Sequence, residues 1–251
     1  MPPSDLAGKP FDDAELIDRF KKLMDWVIPM LIEHNGFLIA ITNEADNAFE
    51  EFPEMIPQTV TFVKESRKYI HSIDSRIAVT ATIAEGSLDN EVPGLAEVLK
   101  ECDVASFNFY GQDNGGAVQD VAKVNQEIDE LIAFVGDKLL VIQELGFSSG
   151  YEDGTSIMES SSEKQSIFFD AFFQRMQSEP QLRAAVVFQL VDWSPDTTDL
   201  FMEAFENAGL PEEFLFAFRE SLRTVGLIRY EDGSQKPAWN EFLNWIENFK
   251  Q

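Results

Sequence analysis

The chain has 251 residues, 44% of them hydrophobic, and carries 45 acidic against 19 basic side chains for a net charge of −26. A surface this acidic repels phosphate backbones and anionic headgroups, so nucleic acid and membrane are poor partners, and no apolar run is long enough to span a bilayer. A lone cysteine, Cys102, leaves no internal disulfide and no thiolate metal cage, and the two histidines, His34 and His71, are too few for multi-histidine zinc catalysis and fall near helix ends, away from the strand tip that a Ser-His-Asp hydrolase would need.

Helical spacing opens at Asp12 and runs to Glu33, where Leu16, Phe20, Leu23, Val27 and Leu31 recur at three- and four-residue steps, with Pro29 as a point of kinking or division. Asn35-Gly36 ends it ahead of a strand at 37–42. A helix at about 55–73 and a strand at 76–83 follow. A short helix near 94–101 leads to the run Val104-Ala105-Ser106-Phe107-Asn108-Phe109-Tyr110. A helix is predicted over 118–134 and a strand over 139–144. Beyond the polar loop 148–162 come a helix at 163–178, a last strand at 184–191, helical segments at 201–207 and 212–223, and a final helix at 237–249. Cys102 falls between a helix and a strand beside Val104, as a buried structural thiol does. Trp26, Trp239 and Trp245 sit at helical positions suited to packing, and Gln189, inside the last strand, is suited to an interior.

Alternation of strand and helix at this spacing means parallel βαβ units, an α/β fold. Five strands are counted, whereas a closed (β/α)8 TIM barrel needs eight, so residues 1–251 read as a single, partial barrel domain. Five strands in an open arc expose two apolar edges. The sequence offers three explanations: a fragment of a longer product, a homo-oligomer or other partner covering the edges, or an undercount of strands. The fragment reading is favoured. Residues 1–11 do not read as a signal peptide. A leader in a missing upstream part would make the protein secreted; otherwise a cytoplasmic location is expected.

Two glutamates stand where apolar strands meet loops: Glu44 after Phe37-Leu38-Ile39-Ala40-Ile41-Thr42-Asn43, and Glu144 after Leu139-Leu140-Val141-Ile142-Gln143. Carboxylates at the C-terminal tips of parallel strands face the catalytic mouth of a barrel, and two of them serve to cut a glycosidic bond. The bland alternative for Glu44 is an acid opening a helix, with Asp46 and Glu50 nearby. Glu144 closes so apolar a run that it needs a partner or a function. Asn108 and Tyr110 suit either strand capping or a site. Trp193, past the last strand, suits core packing or stacking on a sugar ring. Phe147 and Tyr151 are weaker candidates for subsites, and Asp46 and Glu85 are the next acids in line.

Asn43-Glu44 at one strand end, Asn108-Phe109-Tyr110 two strands later, Glu144 with Gly146 on the next and Trp193 after the last resemble clan A glycoside hydrolases. These are retaining (β/α)8 enzymes that include cellulases, mannanases and galactanases. The tail from Val225-Gly226-Leu227 through Asp232-Gly233 to Lys236-Pro237-Ala238-Trp239 also resembles theirs, and the likeness covers roughly 37–242 as strands four to eight. It implies Glu44 as general acid/base, Glu144 as nucleophile, Asn43 on the sugar 2-hydroxyl, Asn108 among the substrate-binding residues, Tyr110 as hydrogen-bond partner of the nucleophile and Trp193 as floor of the −1 subsite. Polar residues that the family takes from strands one to three have no counterpart here.

The expected function is therefore retaining hydrolysis of β-glycosidic bonds in a poly- or oligosaccharide, with no cofactor and no metal. Desolvation and the like charge of Glu144 would keep Glu44 protonated near neutral pH, while Glu144 is ionised. The alternatives are a catalytically incomplete barrel fragment or a non-catalytic carbohydrate-binding protein, and more remotely a barrel enzyme holding Mg²⁺ with carboxylates.

Overall fold

The first helix, α1 (Ala14–Glu33), starts where Asp13 accepts the backbone N–H groups of Glu15 at 2.9 Å and Leu16 at 3.2 Å. It continues through Pro29 without dividing. Met24 and Ile28 are buried against Ile70, Ile77 and Val79, and this packing outweighs the one helical hydrogen bond that proline removes. The structure, a computed structural model, describes residues 4–84, 86–112 and 117–249.

Five strands follow in order: β1 (Leu38–Asn43), β2 (Ala78–Ile83), β3 (Ala105–Phe109), β4 (Leu140–Leu145) and β5 (Leu182–Val187). They form one five-stranded sheet, β1-β2-β3-β4-β5. β1 and β2 are parallel, pairing Leu38 with Ala78 and Asn43 with Thr82 through a register shift after Ala40; β2 and β3 are parallel with Thr82 opposite Ser106. The strands alternate with α2 (Met55–Ile73), α3 (Leu95–Lys100), α4 (Val124–Val135) and α5 (Ser162–Ser178), and α6 (Pro195–Asn207), α7 (Glu212–Thr224) and α8 (Pro237–Phe249) follow β5. The five-strand, parallel α/β reading of the sequence is thus what the described residues form, and they contain no sixth strand.

Three boundaries differ from the hydrophobic pattern, each for a local reason. The helix expected from Val118 begins as a 3-10 turn at Val121, because the Asp120 side chain accepts the Ala122 N–H and Val118 instead donates its N–H to the Met158 carbonyl. α6 begins at Pro195 rather than Phe201, because Ser194 caps it and Pro195 stands in its first turn. β5 stops at Val187 rather than Val191, and Gln189 lies beyond it, after a cis peptide bond from Phe188.

Two units carry these elements: Met1–Asn108 with Val135–Val141, and Phe109–Phe134 with Ile142–Gln251. In the first, Leu16, Ile17 and Phe62 form a second apolar cluster beside that of Ile28. Cys102 is buried there, its Sγ accepting the Ala81 N–H, and burial pushes its thiol pKa up. His34 follows α1, and His71, in the last turn of α2, meets Asp103 at 2.9 Å. Trp26 does not pack; it is 77% exposed on the outer face of α1. In the second unit a phenylalanine ladder fills the core. Phe147 stacks on Phe168 at 4.5 Å, and Phe173 meets Trp245 of α8, whose indole N–H donates to Asp170. The outer strands are the less covered ones, with Val186 of β5 at 58% exposed and Phe37, just before β1, at 66%. No helix of the described residues is long and apolar enough to cross a membrane.

The tail that follows α7 is explained by one buried ion pair. Lys236 donates to Asp192 at 2.8 Å and to the Thr224 carbonyl at 2.9 Å, and Gly226 donates its N–H to the same Asp192 oxygen. A Cβ on Gly226 would fall 2.2 Å from the Asp192 backbone nitrogen, so no other residue fits. Burial pushes the Asp192 carboxyl up and the Lys236 amine down, each opposed by the other's charge. Lys236→Met strands a buried carboxylate and should cost about 3–5 kcal/mol in urea unfolding, whereas the double variant Asp192→Leu/Lys236→Met should recover most of it.

Candidate active site

In the first unit the chain leaves β1 at Asn43 and turns through Glu44, which adopts the left-handed conformation (φ 54°) and donates its N–H to the Thr82 carbonyl at 2.9 Å. A glutamate in that region is uncommon and costs roughly 1–2 kcal/mol, and it persists only where neighbours enforce it. A 3-10 turn over Ala45–Ala48 follows directly. Its side chains do the enforcing. Asn108, buried near the end of β3, donates its amide to Glu44 Oε1 at 2.6 Å and to Asn43 Oδ1 at 3.2 Å. Asn47, three residues on, donates to Glu44 Oε2 at 3.2 Å. Both carboxyl oxygens of Glu44 thus accept neutral amide donors, while the side chain stays partly accessible. Asn108 Oδ1 is buried with no hydrogen-bond partner among the described residues, an acceptor available to a ligand hydroxyl.

Asp46 has a different task. It is 2% exposed, and one of its oxygens accepts the Ala84 N–H at 3.0 Å and the Ser87 hydroxyl, tying the turn after β1 to the loop after β2. It is a brace rather than a second acid at the cleft. Burial raises its carboxyl above the usual carboxylate value. Glu85 lies outside the described residues.

In the second unit, Tyr110 follows β3 directly and donates its hydroxyl to Glu144 Oε2 near the end of β4. Gly146 makes that pairing fit: a Cβ there would meet the Tyr110 ring at 2.6 Å and the Phe188 carbonyl at 2.7 Å. Phe188, just past β5, packs edge-on against Tyr110 with centroids 6.0 Å apart. Trp193 instead stands just before the Ser194 cap of α6, edge-on to Phe201 at 5.2 Å, with its backbone N–H donating to the Leu222 carbonyl. Phe147 is core, and Tyr151 is held through its N–H by Glu220.

Glu220 had no signal in the sequence beyond a helical position. It is wholly buried, and its carboxylate accepts the N–H groups of Tyr151 at 3.1 Å and Ile157 at 2.9 Å together with the Ser156 hydroxyl. One side chain of α7 thereby fixes the loop that follows Glu144. Asn47, Phe188 and Glu220 are the residues that pattern reading missed, because their partners come from remote or irregular segments.

No protein-family model matches the chain, and no curated protein sequence does either. Solved structures do resemble it. A beta-glucuronidase of an uncultured Clostridium sp. aligns over 92% of this chain and 36% of its own, with TM-score 0.60 and 15% identity. The GH2 beta-galacturonidase of Eisenbergiella tayi bound to galacturonate aligns over 94% and 38%, with TM-score 0.60 and 15% identity. A calcium-binding mutant of Bacteroides uniformis beta-glucuronidase 2 aligns over 94% and 26%, with TM-score 0.62 and 12% identity. The chain therefore spans well under half the length of these proteins. At such identity the likeness is one of fold.

Replacing Asp46 by Asn tests the brace. Its raised folded-state pKa gives stability that is fully present below about 3.8 and lost as pH rises through the folded value. Asn keeps an acceptor without that loss. Thermal or urea unfolding of Asp46→Asn should therefore match or exceed the parent increasingly from pH 4 upward, and a gap that narrows with pH would contradict the assignment.

Proposed function

We propose that the chain is part of a (β/α)8 retaining glycoside hydrolase that cleaves β-glycosidic bonds, with Glu44 as general acid/base and Glu144 as nucleophile. One observation carries this reading: two carboxylates at the carboxyl ends of β1 and β4 are each held by neutral donors, Asn108 and Asn47 in one case and Tyr110 in the other. The fold likeness to glucuronidases and a galacturonidase supports it.

The chemistry assigned to these groups is as follows. The Glu144 carboxylate attacks the anomeric carbon as Glu44 hands its proton to the departing oxygen, which leaves as an alcohol. Glu144, now an ester, carries no charge. Glu44 then deprotonates a water, which displaces the ester and restores both groups. The amides of Asn108 and Asn47 orient the Glu44 carboxyl. The phenol of Tyr110 aims one oxygen of Glu144 while the other reacts. Asn43, beside Glu44, is assigned to the sugar's 2-hydroxyl, with Asn108 Oδ1 as a second acceptor. Trp193 as sugar floor has less support, since the ring that touches Tyr110 is Phe188.

Turnover of aryl β-glycosides tests the assignment. Glu144→Gln should abolish cleavage, and a variant as fast as the parent would overturn the nucleophile role. Glu44→Gln should slow it by roughly 10²–10⁴-fold, least for the most acidic leaving groups. Tyr110→Phe should lower kcat by about 10–100-fold, the worth of a hydrogen bond to a charged acceptor, with KM little changed. An experimental structure should find the two carboxyls about 5–5.5 Å apart.

A further inference from the structure

Tyr110 and Glu144 meet across the ends of β3 and β4, and the chain beyond each of them reaches one hydroxyl of α7. Gln112, two residues past Tyr110, donates its side-chain amide to Ser221 Oγ at 2.9 Å. Ser148, four residues past Glu144, donates its hydroxyl to the same oxygen at 2.9 Å. Both lone pairs of Ser221 Oγ are thus engaged, one by each loop. Its neighbours on α7 strengthen the second grip: Glu220 accepts the Tyr151 N–H at 3.1 Å, and Thr224 accepts the Gly150 N–H at 3.2 Å.

Little slack separates this clamp from the pair it faces. Gly111 has a φ of 61°, and a Cβ on it would fall 3.0 Å from the Phe168 ring and 3.1 Å from that of Phe147, so the chain between Tyr110 and Gln112 lies directly on the core. On the other side, Leu145 and Phe147 are buried between Glu144 and Ser148. A close-packed interior passes a displacement on rather than absorbing it.

Resting on the hydrolase reading above, we propose that Ser221 is a positioning residue: by joining the loops behind Tyr110 and Glu144, it fixes the hydrogen bond that aims the nucleophile. An alanine there takes the acceptor from the Gln112 amide and from the buried Ser148 hydroxyl, and each must turn to find another. The two loops then lose their common anchor. A phenol displaced from Glu144 leaves the attacking oxygen misdirected, which slows the chemical step more than it weakens substrate binding.

Fluorine resonances of the protein carrying 3-fluorotyrosine at its four tyrosines read the pair without any need for turnover, and Tyr110→Phe identifies the one from residue 110. In Ser221→Ala that resonance should move toward its position in the urea-unfolded chain, while those of Tyr69 and Tyr230 stay. The kcat for aryl β-glycosides should fall about tenfold with KM little changed, and the loss should vanish when Ser221→Ala is added to Tyr110→Phe. Gln112→Met, which releases the loop after β3 alone, carries the same expectations if the melting curve shows Ser221→Ala unfolded. An unmoved resonance, or an equal kcat loss in both backgrounds, overturns the positioning role even in an active enzyme. If the parent cleaves no aryl β-glycoside, the hydrolase reading falls and the catalytic part of this role with it, while the fluorine shift still decides whether Ser221 sets the pair.

Discussion

Full burial of the middle strands decides where charge can sit in this sheet. The side chains of β3 are all buried, as are nearly all of β2 and most of β4. An ion inside those strands would lose its hydration without return. Among the polar groups that do lie within, Thr82 pairs with Ser106 at 2.9 Å and Thr80 donates to the Val104 carbonyl at 2.9 Å. Acids are thus driven toward the carboxyl ends, where Glu44 and Glu144 are half-accessible and Asp192 follows β5.

Two styles of holding a carboxylate result. Asp192 is held by a lysine and a backbone amide. Glu44 and Glu144 have amide and phenol donors instead. Such donors impose direction on the carboxyl they hold. Glu220 shows the same neutral style used for architecture, gathering a loop around α7. Asp192 and Glu220 are buried, whereas Glu44 and Glu144 stay partly accessible.

Much of the fold was legible because its signals are local and periodic. α2 and α8 fall at the residues their apolar spacing marks, and strand ends deviate by a residue or two. β5 is the exception: Leu190 and Val191 continue its apolar run, yet the chain has already left the sheet at Val187. At the site, the order of Asn43-Glu44, Asn108-Phe109-Tyr110 and Glu144 was readable, and the Asn108–Glu44 and Tyr110–Glu144 hydrogen bonds join residues that the sequence had singled out. The braces were not readable. Asp46 looked like a spare acid, and only its contacts with Ala84 and Ser87 reveal its work. Trp26 misled for the opposite reason: a helical position predicts burial only once the packed face of the helix is known.

The Asp192–Lys236 pair also orders events during synthesis. The two residues lie 44 positions apart, so the carboxylate emerges from the ribosome well before its counter-ion. Until Lys236 arrives, Asp192 must remain wet, and the segment after β5 cannot seal. The stretch leading into α8 is therefore a latch: the second unit can close its interior only after that stretch has been made.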